Sequence, residues 1–312
     1  MKIAVLGAGA MGMLIGGYLS RGNNVTLIDV DAGKAEAINR EGIRIIEPDG
    51  SVTHAHPRAA TGSEGMEPAE LLIVFVKAMY TESALAANRR LIGPGTRVLT
   101  LQNGAGHEAL LARFVARAQI VIGTTQHNSS VVDRTTVHHG AGGPTFIGVP
   151  EGSLEGLRPI VESFRACGLA CEPSAEIQRM IWRKLFTNAS ASVLTGVLQT
   201  PMGFLLDSAD AWAMTETLLR EAVDVANGDG MGFEYAQIAA ELQQHLAHAR
   251  EGKTSIYADL RAGRKTEVDT INGSVARASR RNGVPAPSHE FMVHLVHALE
   301  SRQAPDKEES HA

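Results

Sequence analysis

A chain of 312 residues, 44% of them hydrophobic and 20% charged, carries enough apolar material for two domains with cores of their own. The net charge of -5 gives no electrostatic reason to expect nucleic acid or an anionic membrane as a partner. No apolar run reaches transmembrane length, the N-terminus does not read as a signal peptide, and Cys167 and Cys171 complete no metal-ligand pattern, so a cytoplasmic protein without a metal is expected.

The first residues, MKIAVLGAGAMG, read as a short buried strand from Lys2 to Leu6 that runs into Gly7, Gly9 and Gly12. An apolar helix follows, from Met11 to about Leu19. Strand, glycine turn and helix in this order form a dinucleotide-binding unit, with Ala10 and Met11 opening the helix on the phosphate side. Gly7 permits the turn, Gly9 lets a pyrophosphate approach the backbone, and Gly12 lets helix and strand pack closely. Asp29 ends the second strand, Asn24 to Asp29, 22 residues after Gly7, where a carboxylate binds the ribose hydroxyls of NAD. Asp29 and Asp31 are both also candidates to cap the helix from Ala32. The two acids disfavour a 2′-phosphate, and Lys34 is the nearest cation in sequence, so the cofactor is NAD or NADP with NAD favoured.

Further along, Ile43–Ile46 and Val52–His54 suggest a hairpin around Pro48-Asp49-Gly50. Leu71 to Val76 is a continuous apolar run suited to a parallel strand covered on both faces. Arg97–Leu101 and Gln119–Ile122 add two strands, Thr136–His138 and Thr145–Val149 suggest a late antiparallel pair, and a helix from Leu157 precedes a strand at Leu169–Glu172. Near Ser174 the pattern turns helical, with breaks at Pro201-Gly203, Gly228–Gly232 and Asn282–Pro287. The expected architecture is an α/β Rossmann domain with a doubly wound, mostly parallel sheet at 1–174, an all-helical domain at 175–301, and a disordered tail at 302–312.

Several stretches offer chemistry. Lys184, Asn188 and Ser192 stand at i, i+4 and i+8 within an otherwise apolar helix, either on a solvated face or facing a cleft that supplies Lys184 with a carboxylate. Thr266, Glu267, Asp269 and Asn272 crowd acids and amides together, either as a charged helix start or as a site. Lys77, Asn103-Gly104, and Gly123-Thr-Thr125 with His127 follow predicted strands, as turn residues or as ligand contacts. His138 and His139 have no acidic partner visible in sequence.

Gly7-x-Gly-x-x-Gly12, Lys77-Ala78, Asn103-Gly104, Gly123-Thr-Thr125, Trp182-Arg-Lys-Leu-x-x-Asn188 and Thr266-Glu-Val-Asp-x-Ile-Asn-Gly273 stand in the order and spacing of the ketopantoate reductase family, which the chain resembles from about residue 1 to 300. The resemblance implies NAD(P)H-dependent reduction of ketopantoate or a similar branched 2-oxo acid to a D-2-hydroxy acid. It implies Lys184 as general acid and Glu267 as the carboxylate that orients substrate. Asn103, Asn188, Ser192 and Ser255 would contact substrate, and Lys77, Asn103 and Glu267 would join the glycine turn and Asp29 on the cofactor. Family members that act on ketopantoate often carry asparagine where this chain has Ser192, Met202 and Gly252, which points to a more apolar substrate. The Asp29-Val30-Asp31 segment resembles the NAD-dependent D-mandelate type of the same family. Two other readings remain: a 3-hydroxyacid dehydrogenase, and a nucleotide-sensing protein without turnover. A homodimer is compatible with these features.

Overall fold

The computed structural model describes residues 1–303. The chain divides into two units, one of residues 1–102 and 106–178, the other of Asn103–Ala105 and the residues from Arg179 onward.

The first unit alternates strand and helix: β1 (Lys2–Leu6), α1 (Ala10–Leu19), β2 (Asn24–Ile28), α2 (Ala32–Glu41), β3 (Ile43–Ile46), β4 (Val52–Ala55), β5 (Arg58–Ala60), β6 (Leu71–Val74), α3 (Thr81–Ala87), β7 (Arg97–Thr100), α4 (His107–Leu111), β8 (Ile120–Thr125), β9 (Asn128–Val131), β10 (Thr136–Ala141), β11 (Thr145–Gly148), α5 (Arg158–Ala166) and β12 (Cys171–Pro173). Eight strands form one sheet in the order β12-β11-β8-β7-β6-β1-β2-β5. From β5 to β8 every pairing is parallel, and only β11 against β8 is antiparallel. The apolar run at Leu71 forms the centre of this sheet, where Leu71, Leu72, Ile73 and Val74 are all fully buried. Burial on both faces is what a strand without polar alternation requires. The order 3-2-1-4-5-6, read from β5 to β8, is that of a dinucleotide-binding fold.

A second sheet of four strands, β4-β3-β10-β9, belongs to the same unit. It corrects one expectation. Thr136–His138 and Thr145–Val149 do not pair with each other: β10 pairs with β3 in parallel and β9 in antiparallel, while β11 joins β8 and β12. β10 keeps its neighbour in sequence, β9, on one side and takes the distant β3 on the other. Val137 is buried in the core cluster with Ile43 and Ile45. The expected hairpin of β3 and β4 is present, Ile43 opposite Ala55.

The second unit is helical: α6 (Ile177–Thr187), a π-helical segment at Asn188–Ser192, α7 (Val193–Leu198), α8 (Phe204–Asp207), α9 (Ala209–Gly228), α10 (Tyr235–His248), α11 (Ser255–Arg261), α12 (Asn272–Asn282) and α13 (Pro287–Gln303). Its own core joins Trp182, Phe186, Leu219, Val225, Ile271 and Val296. The breaks fall where glycine and proline stop helices: α9 ends at Gly228, and Pro287 opens α13 after a left-handed Gly283. Arg302 and Gln303 close α13, and the rest of the tail read as disordered lies outside the described residues. Among the described residues no helix is long and apolar enough to cross a membrane.

Candidate functional site

The glycine turn of the first unit is shaped by backbone contacts that leave no room for side chains. Gly7 adopts φ +100°, and its N–H donates to Ile28 O at 2.8 Å. A Cβ there would lie 2.8 Å from Val76 N, and one on Gly12 would run into the Gly7 carbonyl oxygen. A Cβ on Gly9 meets nothing within 4 Å, so the chain is open on the side where α1 begins. Gly9 caps α1 without a side-chain acceptor, and the first turn of α1, with half-buried Ala10 and Met11, holds no acidic residue. Backbone N–H groups at the start of this helix therefore face open space, as a pyrophosphate requires. A cleft of about 760 Å³ adjoins the turn and is lined by Gly7, Gly9, Asp29, Val30, Lys77 and Tyr80 among others. These residues fit a dinucleotide.

Asp29 ends β2 beside that turn. Its Oδ2 accepts from Ala8 N at 2.9 Å, and its Oδ1 accepts from Asp31 N at 3.1 Å. Lys34 Nζ lies 3.7 Å from Asp29 Oδ2 and donates to Ala8 O at 3.3 Å. The cap of α2 is Asp31, which accepts from Lys34 N at 3.0 Å. That hydrogen bond, helped by the charges of Arg134 and Lys34, holds the Asp31 carboxyl below the usual carboxylate range. Arg134 comes from the β9–β10 turn, and a Cβ on Gly33 would lie 3.2 Å from its guanidinium. No local pattern announces this second cation, because Arg134 lies about a hundred residues beyond Lys34. Gln102, also unforeseen, ties the ends of β6 and β7 together through Val76 O at 2.6 Å and Thr81 Oγ1 at 2.9 Å.

In the second unit, Lys184 lies on α6 and Asn188 opens the π-helical segment. Ser192 Oγ donates to Asn188 Oδ1 at 3.4 Å, so the polar row persists through the change of helix type. A π turn releases carbonyls from their i+4 partners. Side chains take them up: Ser190 Oγ donates to Phe186 O at 2.6 Å, Asn272 Nδ2 to Ala189 O at 2.8 Å, and Thr195 Oγ1 to Ser192 O at 3.0 Å. Lys184 is partly covered, and burial pushes its ammonium below the ordinary lysine range. The Glu267 carboxylate acts on it in the opposite direction.

Glu267 belongs to a loop and not to a helix start, since α12 begins only at Asn272. The loop is fixed at both ends. Thr266 N and Oγ1 donate to Glu300 Oε1 at 2.7 and 2.8 Å, and Thr270 N and Ile271 N return to Glu267 O at 3.0 Å. Asn103 Nδ2 donates to Glu267 Oε2 at 3.3 Å. Gly104 permits this approach: its φ is +102°, and a Cβ would run into the Thr270 carbonyl oxygen. The Asn-Gly pair is thus a close-packing device as well as a turn. Ser255 is exposed at the first position of α11, and its neighbour Thr254 is the buried cap. Met202 and Gly252 are adjacent: Met202 N donates to Gly252 O at 3.1 Å, and a Cβ on Gly252 would lie 3.6 Å from Met202 Cε.

His139, for which no acidic partner is visible in sequence, has one in the fold. Its Nδ1 is 3.0 Å from Glu47 Oε2, which also accepts from Tyr18 OH at 2.7 Å, and its Nε2 is 3.0 Å from His127 Nδ1. His127 is therefore held in a buried polar chain, with its own pKa pushed down by burial and by His139.

Two family models cover most of the chain: ketopantoate reductase PanE/ApbA matches residues 3–152, and its C-terminal counterpart matches residues 176–300. The 2-dehydropantoate 2-reductase of Halobacterium salinarum is 30% identical over 95% of this chain and 98% of its own length. This chain belongs to the ketopantoate reductase family. The corresponding enzyme of Lactococcus lactis is 32% identical over 96% of this chain and 98% of its own. A solved structure of D-mandelate dehydrogenase with NADH and anilino(oxo)acetate is 30% identical, covers 97% of this chain and 99% of its own, and superposes with a TM-score of 0.90. Family membership and the glycine cradle together make the chain an NAD(P)-dependent oxidoreductase.

Proposed function

We propose that the chain reduces a 2-oxo acid, ketopantoate or a similar branched one, to the D-2-hydroxy acid. Residues 1–174 would hold the cofactor through Gly7, Gly9, Ala10, Met11, Gly12, Asp29 and Lys77. Residues 175–301 would act on the substrate. Bound reduced nicotinamide supplies the hydride. Charge then grows on the carbonyl oxygen, and the Lys184 ammonium stabilises it and gives up its proton. Burial of Lys184 supports this role, because an ammonium with a lowered pKa is a better acid near neutral pH. Glu267, held by Asn103, accepts from the substrate hydroxyl and orients it. Asn188, Ser192 and Ser255 complete the contacts with substrate.

The observation that carries this reading is the convergence of Lys184, Glu267 and Asn103, from three separate stretches of sequence, in one unit. Asp29 at the cradle supports NAD over NADP. A second reading, a D-mandelate-type dehydrogenase, is favoured by the apolar contact of Met202 with Gly252 where asparagines are usual. Initial rates with NADH and NADPH against ketopantoate, 2-oxoisovalerate and phenylglyoxylate separate the two. Preference for phenylglyoxylate selects the second. Tight NADH binding with no turnover of any 2-oxo acid contradicts both and favours a sensor.

A further inference from the structure

The π-helical segment at Asn188–Ser192 falls within the polar row that begins at Lys184, and its shape decides how the row lines up. In an uninterrupted α-helix each step of four residues overshoots a full turn by about 40°, so Ser192 would stand about 80° round the axis from Lys184. A π turn takes more residues to close, which reduces that overshoot. Ser192 Oγ accordingly reaches Asn188 Oδ1 at 3.4 Å.

Asn272, the first residue of α12, is wholly buried, and its Nδ2 donates to Ala189 O inside the segment at 2.8 Å. The same Nδ2 lies 3.1 Å from His289 Nδ1. His289 Nε2 is 2.9 Å from Leu218 O. A carbonyl only accepts, so Nε2 carries the proton, and Nδ1 of the neutral ring accepts. Burial also disfavours the charged ring. The orientation of the amide follows, because only its NH2 end can serve two acceptors.

This orientation leaves Asn272 Oδ1 buried with no hydrogen-bond partner among the described residues. A leucine of the same shape would avoid that cost but could not donate to Ala189 O. The value of the amide therefore lies in its two donors. Ser190 and Thr195 also bond to carbonyls here, but they belong to the same stretch of chain and move with it. Asn272 is instead tied to α9 through His289. We propose that Asn272 is a positioning residue for the substrate: through Ala189 O it holds the π turn, and the π turn keeps Asn188 and Ser192 in one row with Lys184. The inference rests on the reading of that row as the substrate contact.

The test compares KM for the best of the three 2-oxo acids in Asn272→Leu, Asn272→Asp and His289→Leu. Neither a leucine nor a carboxylate at position 272 can donate to Ala189 O, whereas His289→Leu removes the tie to α9 and leaves that N–H in place. Both variants at 272 should raise KM for the 2-oxo acid about tenfold, the worth of one misplaced hydrogen bond, with KM for NADH unchanged. His289→Leu should lower the melting temperature and keep KM close to that of the intact protein. A merely structural role would not move KM, since loss of folded enzyme lowers only the apparent kcat. An unmoved KM in the variants at 272 overturns the proposal, and so does an equal rise in His289→Leu. Should neither variant at 272 fold, a crystal structure of the intact protein with NADH and a 2-oxo acid analogue decides: Asn188 and Ser192 should both touch the analogue with the π turn present, and a plain α-helix at 188–192 overturns the claim. An intact protein that turns over none of the three acids overturns the substrate reading and this proposal with it, an outcome distinct from active variants of unmoved KM.

Discussion

The Asn103 amide donates to the Glu267 carboxylate at 3.3 Å across 164 positions of sequence. Both residues sit on loops. Gly104 lies against Thr270, and the turn from Glu267 to Ile271 closes on the Glu267 carbonyl. A carboxylate fixed in this way keeps its orientation while it influences the Lys184 ammonium.

Removing that carboxylate has a signed effect on pH dependence. With Lys184 as the proposed proton donor, turnover needs its protonated form, so kcat should fall as pH rises through its pKa. Burial lowers that pKa and Glu267 opposes the lowering. Glu267→Gln should therefore move the alkaline limb of the kcat profile to lower pH, by about one unit, and raise KM. An alkaline limb that stays in place contradicts the coupling.

Gly104→Ala places a side chain at φ +102° against a carbonyl oxygen. It should destabilise the protein by about 1–3 kcal/mol and lower activity further by displacing Asn103. Thermal melting and kcat/KM check the two parts. A variant with normal stability would show that the close approach is not needed.

At the cradle, Asp29→Asn keeps an acceptor for Ala8 N and removes the charge. Use of NADPH relative to NADH should rise by about tenfold, because repulsion of a 2′-phosphate is relieved while Lys34 and Arg134 remain. The ratio of kcat/KM for the two cofactors is the measurement. An unchanged ratio removes Asp29 from cofactor choice.

His289 is buried, donates from Nε2 to Leu218 O, and takes the Asn272 amide at Nδ1. Burial pushes its pKa down. The unfolded chain binds its proton below about pH 6.5 and the folded chain does not, so stability falls as pH drops through that value. The slope from this residue is at most about 1.4 kcal/mol per pH unit. His289→Gln should flatten it, as followed by urea unfolding between about pH 7 and pH 5. An identical slope in the variant would place the loss elsewhere.

The residues that were legible are those whose role is local. Gly7, Gly9 and Gly12 announce their turn through spacing alone, and Leu71 to Val74 announce a central strand through unbroken apolarity. Asp31 and Asp29 were indistinguishable as caps until the backbone direction decided between them. The second sheet was illegible because β10 draws β3 from the far side of several elements, and no periodicity encodes that choice. The same holds for Arg134 beside Gly33, Glu47 beside His139 and Glu300 beneath Thr266. The π-helical segment was missed because a widened turn depends on side chains that take up the released carbonyls, and Asn272 is supplied from another helix.

The role of Lys184 is tested most directly by the kcat of Lys184→Ala with NADH and the best of the three 2-oxo acids, in a protein shown by circular dichroism to be folded. A fall of about two to four orders of magnitude, with NADH affinity unchanged, is the expected result. Turnover close to that of the unaltered protein would contradict proton donation by Lys184.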